Sequence, residues 1–324
     1  MEAFFFDLTL LLDSSIRLIG PLILAALAGL FAERSGVVDI SLEGKMLGAA
    51  FAAAATAAVT GSAWMGLGAG ILTSVALALL HGFVAITHRG EQIVSGMAIN
   101  IVVAGLAPVL ANSWFHLNGQ TPLLDESERF TSITLPGVEI ISNVPVVGTL
   151  YVEVISGHNL LTYVALALVP LSACVLYRTR FGLRLRAVGE NPSAVDTAGI
   201  SVIWLRYQAM IVAGVLCGVA GTSLSTALGA GFIRDMSAGK GFLALAAVIF
   251  GRWMPVPTLL ACLLFAFSDA LQGRLQGVDL PVIGVVSVQF IMMLPYVVTV
   301  IALAGFVGHI RPPASSGKPF IRAR

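Results

Sequence analysis

The chain has 324 residues, of which 57% are hydrophobic and only 11% are charged, and its formal net charge is +1. Charged residues make up roughly 25% of an ordinary soluble domain, so this composition excludes a water-soluble globular protein. The small net charge also argues against nucleic-acid binding through bulk electrostatics. With a mean hydropathy of +0.94, the chain is predicted to be an all-α, polytopic membrane protein with one transmembrane domain over residues 1–324.

A helix needs about 20 largely apolar residues to cross a bilayer, and nine stretches approach that length: 14–32, 46–60, 64–87, 93–113, 159–177, 203–228, 239–251, 255–272 and 282–307. Two of them, 46–60 and 239–251, are short. Short spans interrupted by glycine are typical of broken or re-entrant helices that line a transport pathway. They are also what ordinary helices look like when their polar ends are trimmed. Eight or ten spans stay possible if 36–48 is itself a half-helix.

The basic residues predict the orientation, because cytoplasmic loops carry an excess of Lys and Arg. With the arginine-rich segment 178–202 in the cytoplasm and nine spans threaded, thirteen of the eighteen basic residues fall on the cytoplasmic side. The N-terminus is then outside and the C-terminus is cytoplasmic, as in a multi-pass protein of a bacterial-type cytoplasmic (inner) membrane. Residues 114–158 become an external loop, either a partly ordered cap or a solvated linker.

The central polar segment 178–202 reads RTRFGLRLRAVGENPSAVDTAGISV and contains a short helix signal. Asn191 is a good N-cap, Pro192 suits the first helical position, and Gly199 favours a left-handed stop. So short a helix is not stable alone. Its predicted exposed face carries small apolar side chains: Ala194, Val195 and Ala198. Either this face docks into a partner, or the turn lies on the bilayer while the arginines hold anionic headgroups.

This segment resembles the coupling loop of ABC importer permeases, in the branch that includes ribose and branched-chain amino-acid permeases. ERSGVVDISLEGKMLGAAF resembles a cytoplasmic turn of the same branch. EQIVSGMAIN, GKGFLALAAVIFGRW, FSDALQGRLQ and the tail GKPF resemble, more narrowly, the nucleoside and simple-sugar permeases that work with basic-membrane-protein-type lipoproteins. The resemblance covers about residues 15–320.

The resemblance implies a transporter subunit that forms a pathway for a small polar solute, most closely nucleosides, with a simple sugar or branched-chain amino acid as the alternative. Partners implied are an ABC ATPase that carries ATP and Mg, a second homologous permease, and a substrate-binding lipoprotein. The chain has no G-x-x-x-x-G-K-[ST] phosphate loop of its own. The residues implied to couple to the ATPase are Glu190, Asn191, Pro192, Ala194, Val195, Asp196, Ala198 and Gly199.

Polar residues inside spans are costly and are candidates for a substrate pathway. Five stand out by position: Asn100, Gln208, Ser223, Asp269 and Gln289. The structural alternative is open for each of them. Ser and Thr in spans often bond back to their own helix, a lone Asn or Gln often joins two helices, and Asp269 can pair with Arg274.

Asp39 and Glu43, in RSGVVDISLEGK, are the other polar outliers. They are predicted either to gate the inner mouth of the pathway and touch the ATPase, or to cap a helix and pair with Arg34 and Lys45.

Two other function classes fit the sequence less well. An ion-driven secondary transporter needs a buried titratable pathway, and only Asp269 approaches one. An intramembrane enzyme needs a catalytic motif, but the five histidines form no H-E-x-x-H and no G-x-S-x-G elbow occurs. No catalytic residue, metal site or resident cofactor is predicted in this chain.

Overall fold

The computed structural model describes residues 2–136, 150–275 and 311–321, together with positions 148, 279–280, 284–285, 293, 297 and 300–301. Ten α-helices lie in these ranges: α1 Glu2–Arg34, α2 Leu42–Thr60, α3 Ala63–Gly82, α4 Gln92–Phe115, α5 Leu160–Arg178, α6 Arg180–Glu190, α7 Pro192–Thr197, α8 Val202–Ser223, α9 Lys240–Phe250 and α10 Pro255–Leu275. Within these ranges the fold is all-α apart from two isolated β-bridges and a two-residue ladder of β1 Asp279–Leu280 with β2 Gly284–Val285.

Shorter helical turns extend or connect these helices. A π-helical turn over Phe83–Thr87 prolongs α3, and another over Leu224–Leu228 prolongs α8. A 3₁₀ turn over Glu126–Glu128 and a π turn over Leu150–Ile155 lie in the segment between α4 and α5.

Seven of the described helices are long and apolar enough to cross a membrane: α1, α2, α3, α4, α5, α8 and α10. Three of them form the centre of the bundle. In an apolar stretch of 18 residues within each helix, 83% of the stretch is buried in α1 and 72% in α2 and in α8. The other four bury only 33–39%. They therefore present broad apolar faces to lipid or to a partner subunit.

Small residues allow the central helices to approach one another closely, as helix association in lipid requires. A Cβ added at Gly218 of α8 would lie 2.6 Å from the Cα of Ile71 on α3. A Cβ added at Gly221 would lie 2.7 Å from the Cβ of Ala49 on α2. Contact of α8 with both neighbours thus depends on glycine.

Six predicted spans are confirmed as helices: 14–32, 64–87, 93–113, 159–177, 203–228 and 255–272. The two short ones differ from each other. Span 46–60 is an ordinary helix whose polar first turn had been trimmed, because α2 begins at Leu42 and has 19 residues. Span 239–251 is a short helix of 11 residues. The predicted span 282–307 lies outside the described residues except at isolated positions.

Part of the predicted external loop is ordered against the end of α8. The backbone N–H of Leu124 donates to Ala230 O at 3.0 Å, and that of Phe130 donates to Thr226 O at 2.9 Å. These bonds favour the ordered cap over a solvated linker for residues 121–130.

Candidate translocation site

The segment between α1 and α2, residues 35–41 and called here the inner turn, is a polar region in the interior of the molecule. Ser35, Asp39 and Ser41 are each fully buried, and so is Lys45 in the first turn of α2. Asp39 Oδ2 lies 2.5 Å from Lys45 Nζ, and Ser41 Oγ donates to Asp39 Oδ1 at 2.6 Å. Burial by itself raises the pKa of Asp39, but Lys45, His81 and these hydrogen bonds hold the pKa below its ordinary value.

Helices packed around the inner turn satisfy its backbone with polar side chains. Gln92 Oε1 on α4 accepts from Val38 N–H at 2.7 Å, and His81 Nε2 on α3 lies 3.0 Å from Val38 O. Arg206 Nε on α8 donates to Ser35 O at 3.2 Å. A buried loop needs such partners because its N–H and C=O groups cannot reach water.

Asn100, in the first half of α4, joins that helix to the turn and to α2. Its Nδ2 donates to Ile40 O at 2.9 Å, and its Oδ1 accepts from Gly44 N–H at 2.8 Å. The structure confirms that Asn100 connects two elements. Among the described residues, these bonds use one of the two amide hydrogens and one lone pair of the oxygen. Asn100 also lines the cavity described below.

Glu43 connects the start of α2 to the start of the short helix α9. Its Oε1 accepts from Gly239 N–H at 2.9 Å and its Oε2 from Gly241 N–H at 2.6 Å. A carboxylate is favourable here because the first N–H groups of a helix lack partners and carry partial positive charge. Of the two predictions for Glu43, helix capping is therefore what the structure shows, and the helix that Glu43 caps is α9.

The predicted pairs with Arg34 are wrong. Lys45 does pair with Asp39, but Arg34 Nε donates to Trp253 O at 2.8 Å. The indole N–H of Trp253 in turn donates to Glu33. With nine spans threaded from an outside N-terminus, residue 45 is predicted on the cytoplasmic side and residue 240 on the outside. The structure instead brings the starts of α2 and α9 together inside the molecule.

A cavity of about 340 Å³ opens beside these two helix starts. Its wall comes from α2, the middle of α4, and the segment that leads into α9: Glu43, Gly44, Leu47, Met97, Asn100, Ile101, Ala104, Asp235, Ser237, Ala238, Gly239 and Phe242. Concave sites of this size, mostly apolar with a few polar groups, are the usual form of small-molecule sites.

The polar groups of the cavity wall are neutral or acidic. They are the amide of Asn100, the hydroxyl of Ser237 and the carboxylates of Glu43 and Asp235, and the wall contains no Lys, Arg or His. The cations that flank the wall have carboxylate partners: Arg234 Nε lies 3.5 Å from Asp235 Oδ2, Lys45 pairs with Asp39, and Lys240 Nζ lies 3.8 Å from Asp269 Oδ2. The wall therefore offers hydrogen bonds but no counter-charge for an anion.

The other predicted pathway residues do not meet at this cavity. Gln208 is half-buried on α8, and Ser223 is buried at the end of the same helix, where its hydroxyl has no hydrogen-bond partner within the described part of the chain. Asp269 on α10 contacts Lys240, a partner that sequence reasoning missed. Gln289 lies outside the described residues.

Two polar wall residues were missed, Asp235 and Ser237. They belong to the segment 229–239, GAGFIRDMSAG, which the nine-span threading predicts to be a connection on the outside. Ser237 is buried and Asp235 is exposed. The available signal was the shortness of α9, because the lead-in to a short, broken helix can line a pathway.

The central polar segment folds into two helices, of which the longer was missed. Arginines 180, 184 and 186 lie on α6, and α7 follows directly. Asn191 Oδ1 caps α7 by accepting from Ala194 N–H at 3.1 Å, and Gly199 has φ +78°. Cap and stop are confirmed.

The predicted exposed face of α7 is only partly correct. Ala194 and Ala198 are exposed, but Val195 is 7% exposed and packs into a cluster with Val188, Val202 and Leu205. Val195 points inward because a helix of 6 residues needs one apolar anchor to stay on the protein. Among the remaining predicted coupling residues, Glu190 and Asn191 are exposed and Pro192 and Asp196 are half-buried.

Comparison with known proteins fits this architecture. Residues 11–307 match the family model described as branched-chain amino acid transport system / permease component. The chain belongs to this permease family. It is a multi-pass protein of the cytoplasmic (inner) membrane and a permease subunit of an ABC importer, not an enzyme. Such subunits work with separate ATPase and substrate-binding partners. No solved structure matches the chain.

Three relatives cover almost the full chain. It is 34% identical to the guanosine ABC transporter permease protein NupQ of Bacillus subtilis, over 98% of both chains. It is 36% identical to the nucleoside ABC transporter permease protein NupC of Lactococcus lactis, over 94% of both. It is 33% identical to the putative glucose ABC transporter permease protein TsgC13 of Haloferax volcanii, over 91% of this chain and 90% of that one.

The same two bacteria each have a second, more distant match. The guanosine permease NupP of B. subtilis is 29% identical over 77% of this chain, and the nucleoside permease NupB of L. lactis is 22% identical over 79%. Each pair carries a common substrate name, and one member of each pair is closer to this chain.

Proposed function

We propose that this chain carries nucleosides across the cytoplasmic membrane as one of two permease subunits of an ATP-driven importer. The proposal that the solute is a nucleoside rests on the cavity between α2, α4 and α9. Its wall contains amide, hydroxyl and carboxylate groups and no cation. The names of the two full-length bacterial relatives support the same solute class.

The chemistry of the cavity suits an uncharged solute with hydroxyl groups. Carboxylate oxygens accept hydrogen bonds from sugar hydroxyls, and the free donor and acceptor of Asn100 match the edge of a nucleobase. Met97 and Phe242 add apolar surface for the face of a base. A nucleotide or an amino acid carries an anionic group, which this wall would leave unpaired at a large cost.

The partner arrangement we propose is a pair of non-identical permeases. Support comes from the two relatives in each bacterium and from the four helices that leave most of their surface uncovered. ATP and Mg belong to an ATPase partner, and a lipoprotein delivers the solute from outside.

We assign the ATPase contact to the exposed surface of α7, with the segment 178–202 and the C-terminus in the cytoplasm and the N-terminus outside. The small side chains of Ala194 and Ala198 leave room for a partner surface, while Val195 anchors the helix from below. The excess of basic residues on this side supports the orientation.

Uptake by the complete complex tests the substrate class. Proteoliposomes that contain this chain, its sister permease, the ATPase and the lipoprotein should accumulate labelled guanosine or uridine only with ATP inside. Unlabelled nucleosides should compete, whereas guanosine monophosphate and leucine should not. Uptake driven by an ion gradient without ATP, or competition by leucine at equal concentration, would refute the proposal.

A simple sugar is the second candidate, because the Haloferax relative is named for glucose and a sugar is also a neutral polyol. Glucose in the same competition assay separates the two. Competition by glucose at concentrations where nucleosides have no effect would favour the sugar.

A further inference from the structure

Residues 311–321, called here the strap, lie across the predicted cytoplasmic end of the bundle. The strap has no α-helix or β-strand of its own. Two of its residues, Pro313 and Ser315, are nevertheless buried. A segment without regular structure stays in place only where other groups satisfy its backbone, and those groups identify what it connects.

One set of contacts holds the junction of α6 and α7. Ser315 Oγ lies 3.0 Å from Val188 O and 2.7 Å from Gly189 O, and Ser315 N–H donates to Gly189 O at 2.9 Å. These carbonyls belong to the last turn of α6, where helix C=O groups have no intrahelical partner. The strap therefore caps α6 at the point where α7 begins.

A second set holds the inner turn. Gly317 N–H donates to Gly36 O at 3.2 Å, and Arg206, which binds Ser35 O, also donates through Nη1 to Lys318 O at 3.4 Å. The contact is close enough that a Cβ at Gly36 would lie 2.5 Å from Ser315 Oγ. Gly36 also has φ +86°, a conformation that favours glycine.

The third contact reaches α7. Phe320 packs against the cluster that contains Val195, the buried anchor of α7, with Val188 and Val202. The strap thus joins the anchor of α7 to the inner turn, and the inner turn leads through Asn100 and Glu43 to the cavity wall.

We propose that the strap transmits movement of α7 to the inner turn, with Phe320 and Ser315 as positioning residues for ATP-coupled transport. This inference rests on the proposed function, because it takes α7 as the ATPase contact. Packed and hydrogen-bonded elements that touch both ends carry energetic coupling between them.

The experiment compares Phe320→Ala and Ser315→Ala with two matched neighbours, Ile321→Ala and Ser316→Ala. Ile321 is 66% exposed, and Ser316 is half-buried. The full complex in proteoliposomes is assayed for solute uptake per ATP hydrolysed, co-purified ATPase and thermal unfolding.

Phe320→Ala and Ser315→Ala should lower uptake per ATP at least ~5-fold, the lower end of coupling between distinct sites. ATPase content and unfolding temperature should stay near wild type, and the two neighbours should transport normally.

An unchanged ratio of uptake to ATP hydrolysis in both strap variants would overturn the inference. Loss of the ATPase from the Phe320→Ala complex, together with normal coupling in Ser315→Ala, would overturn it as well, because the strap would then be only structural. Ala198→Arg separates this from the proposed function. If Ala198→Arg leaves ATPase binding and uptake normal, the α7 contact is wrong whatever the strap variants show.

Discussion

At the scale of single residues, the buried charges of the inner turn explain why polar groups occur in so apolar a chain. Asp39 and Lys45 are fully buried and bonded to each other. A buried ion pair contributes little net stability, but removing one partner leaves an uncompensated charge. The pair therefore acts mainly by fixing the start of α2 relative to the turn.

This account predicts a non-additive result. Lys45→Met alone and Asp39→Asn alone should each lower the free energy of unfolding. The loss should be ~3–5 kcal/mol for Lys45→Met, because that variant leaves the buried Asp39 carboxylate without its cation. The double variant should lose less than the sum of the two, because neither charge remains. Thermal or denaturant unfolding of the detergent-solubilised chain measures all three. Additive losses would contradict direct pairing of the two side chains.

Asn100 shows why residue roles were only half predictable. Its depth in an apolar span marks it as special from sequence alone, since a buried amide must find partners. Its actual partners, Ile40 O and Gly44 N–H, lie 60 and 56 positions earlier in the chain. No local pattern encodes which backbone groups will be left unpaired by a distant turn, so the structural role emerges only from the fold.

At the scale of elements, the site depends on two helices that start next to each other. The N-terminus of α9 is capped by Glu43 from α2, and Gly241 allows the contact. A Cβ at Gly241 would lie 2.6 Å from the Cα of Glu43, a backbone atom that cannot move aside as a flexible side chain can. The short length of α9 was predictable, but its capping by a residue 196 positions away was not.

Gly241→Ala should therefore move α9 away from α2 and enlarge or distort the cavity. We expect the free energy of unfolding to fall by ~1–3 kcal/mol, as in other overpacked sites, and solute uptake to fall with it. Gly105→Ala on α4 is the matched control, because a Cβ there would meet nothing within 4 Å. That variant should be neutral or slightly stabilising, since alanine is the better helix former. Equal behaviour of the two variants in unfolding and uptake assays would argue against the close contact.

At the scale of the whole molecule, the length of the apolar stretches predicted the helices well, whereas the depth of polar segments in the molecule was predicted poorly. Hydropathy reports how many residues are apolar, and α3, α4, α5, α8 and α10 follow it closely, whereas α1 begins at Glu2, well before the predicted span 14–32. Hydropathy does not report how deep the polar first turn of a helix lies, as in Leu42–Lys45 of α2. Buried partners can pair with its charged side chains and keep the turn inside the molecule. The threading therefore assigned Lys45 and Lys240 to opposite surfaces, although Glu43 and Gly239 are hydrogen-bonded.

The overall orientation yields the last prediction. Ser193 on α7 and Ser127 in the segment between α4 and α5 are both exposed and lie on the sides assigned to the cytoplasm and the outside. In a background without Cys174, Cys217 and Cys262, a membrane-impermeant maleimide should label Ser127→Cys in right-side-out vesicles and Ser193→Cys only in inside-out vesicles. The reason is that the arginines of α6 hold this part of the chain on the cytoplasmic side. The reverse pattern would invert the orientation, and labelling of both positions from one side would contradict an odd number of crossings between them.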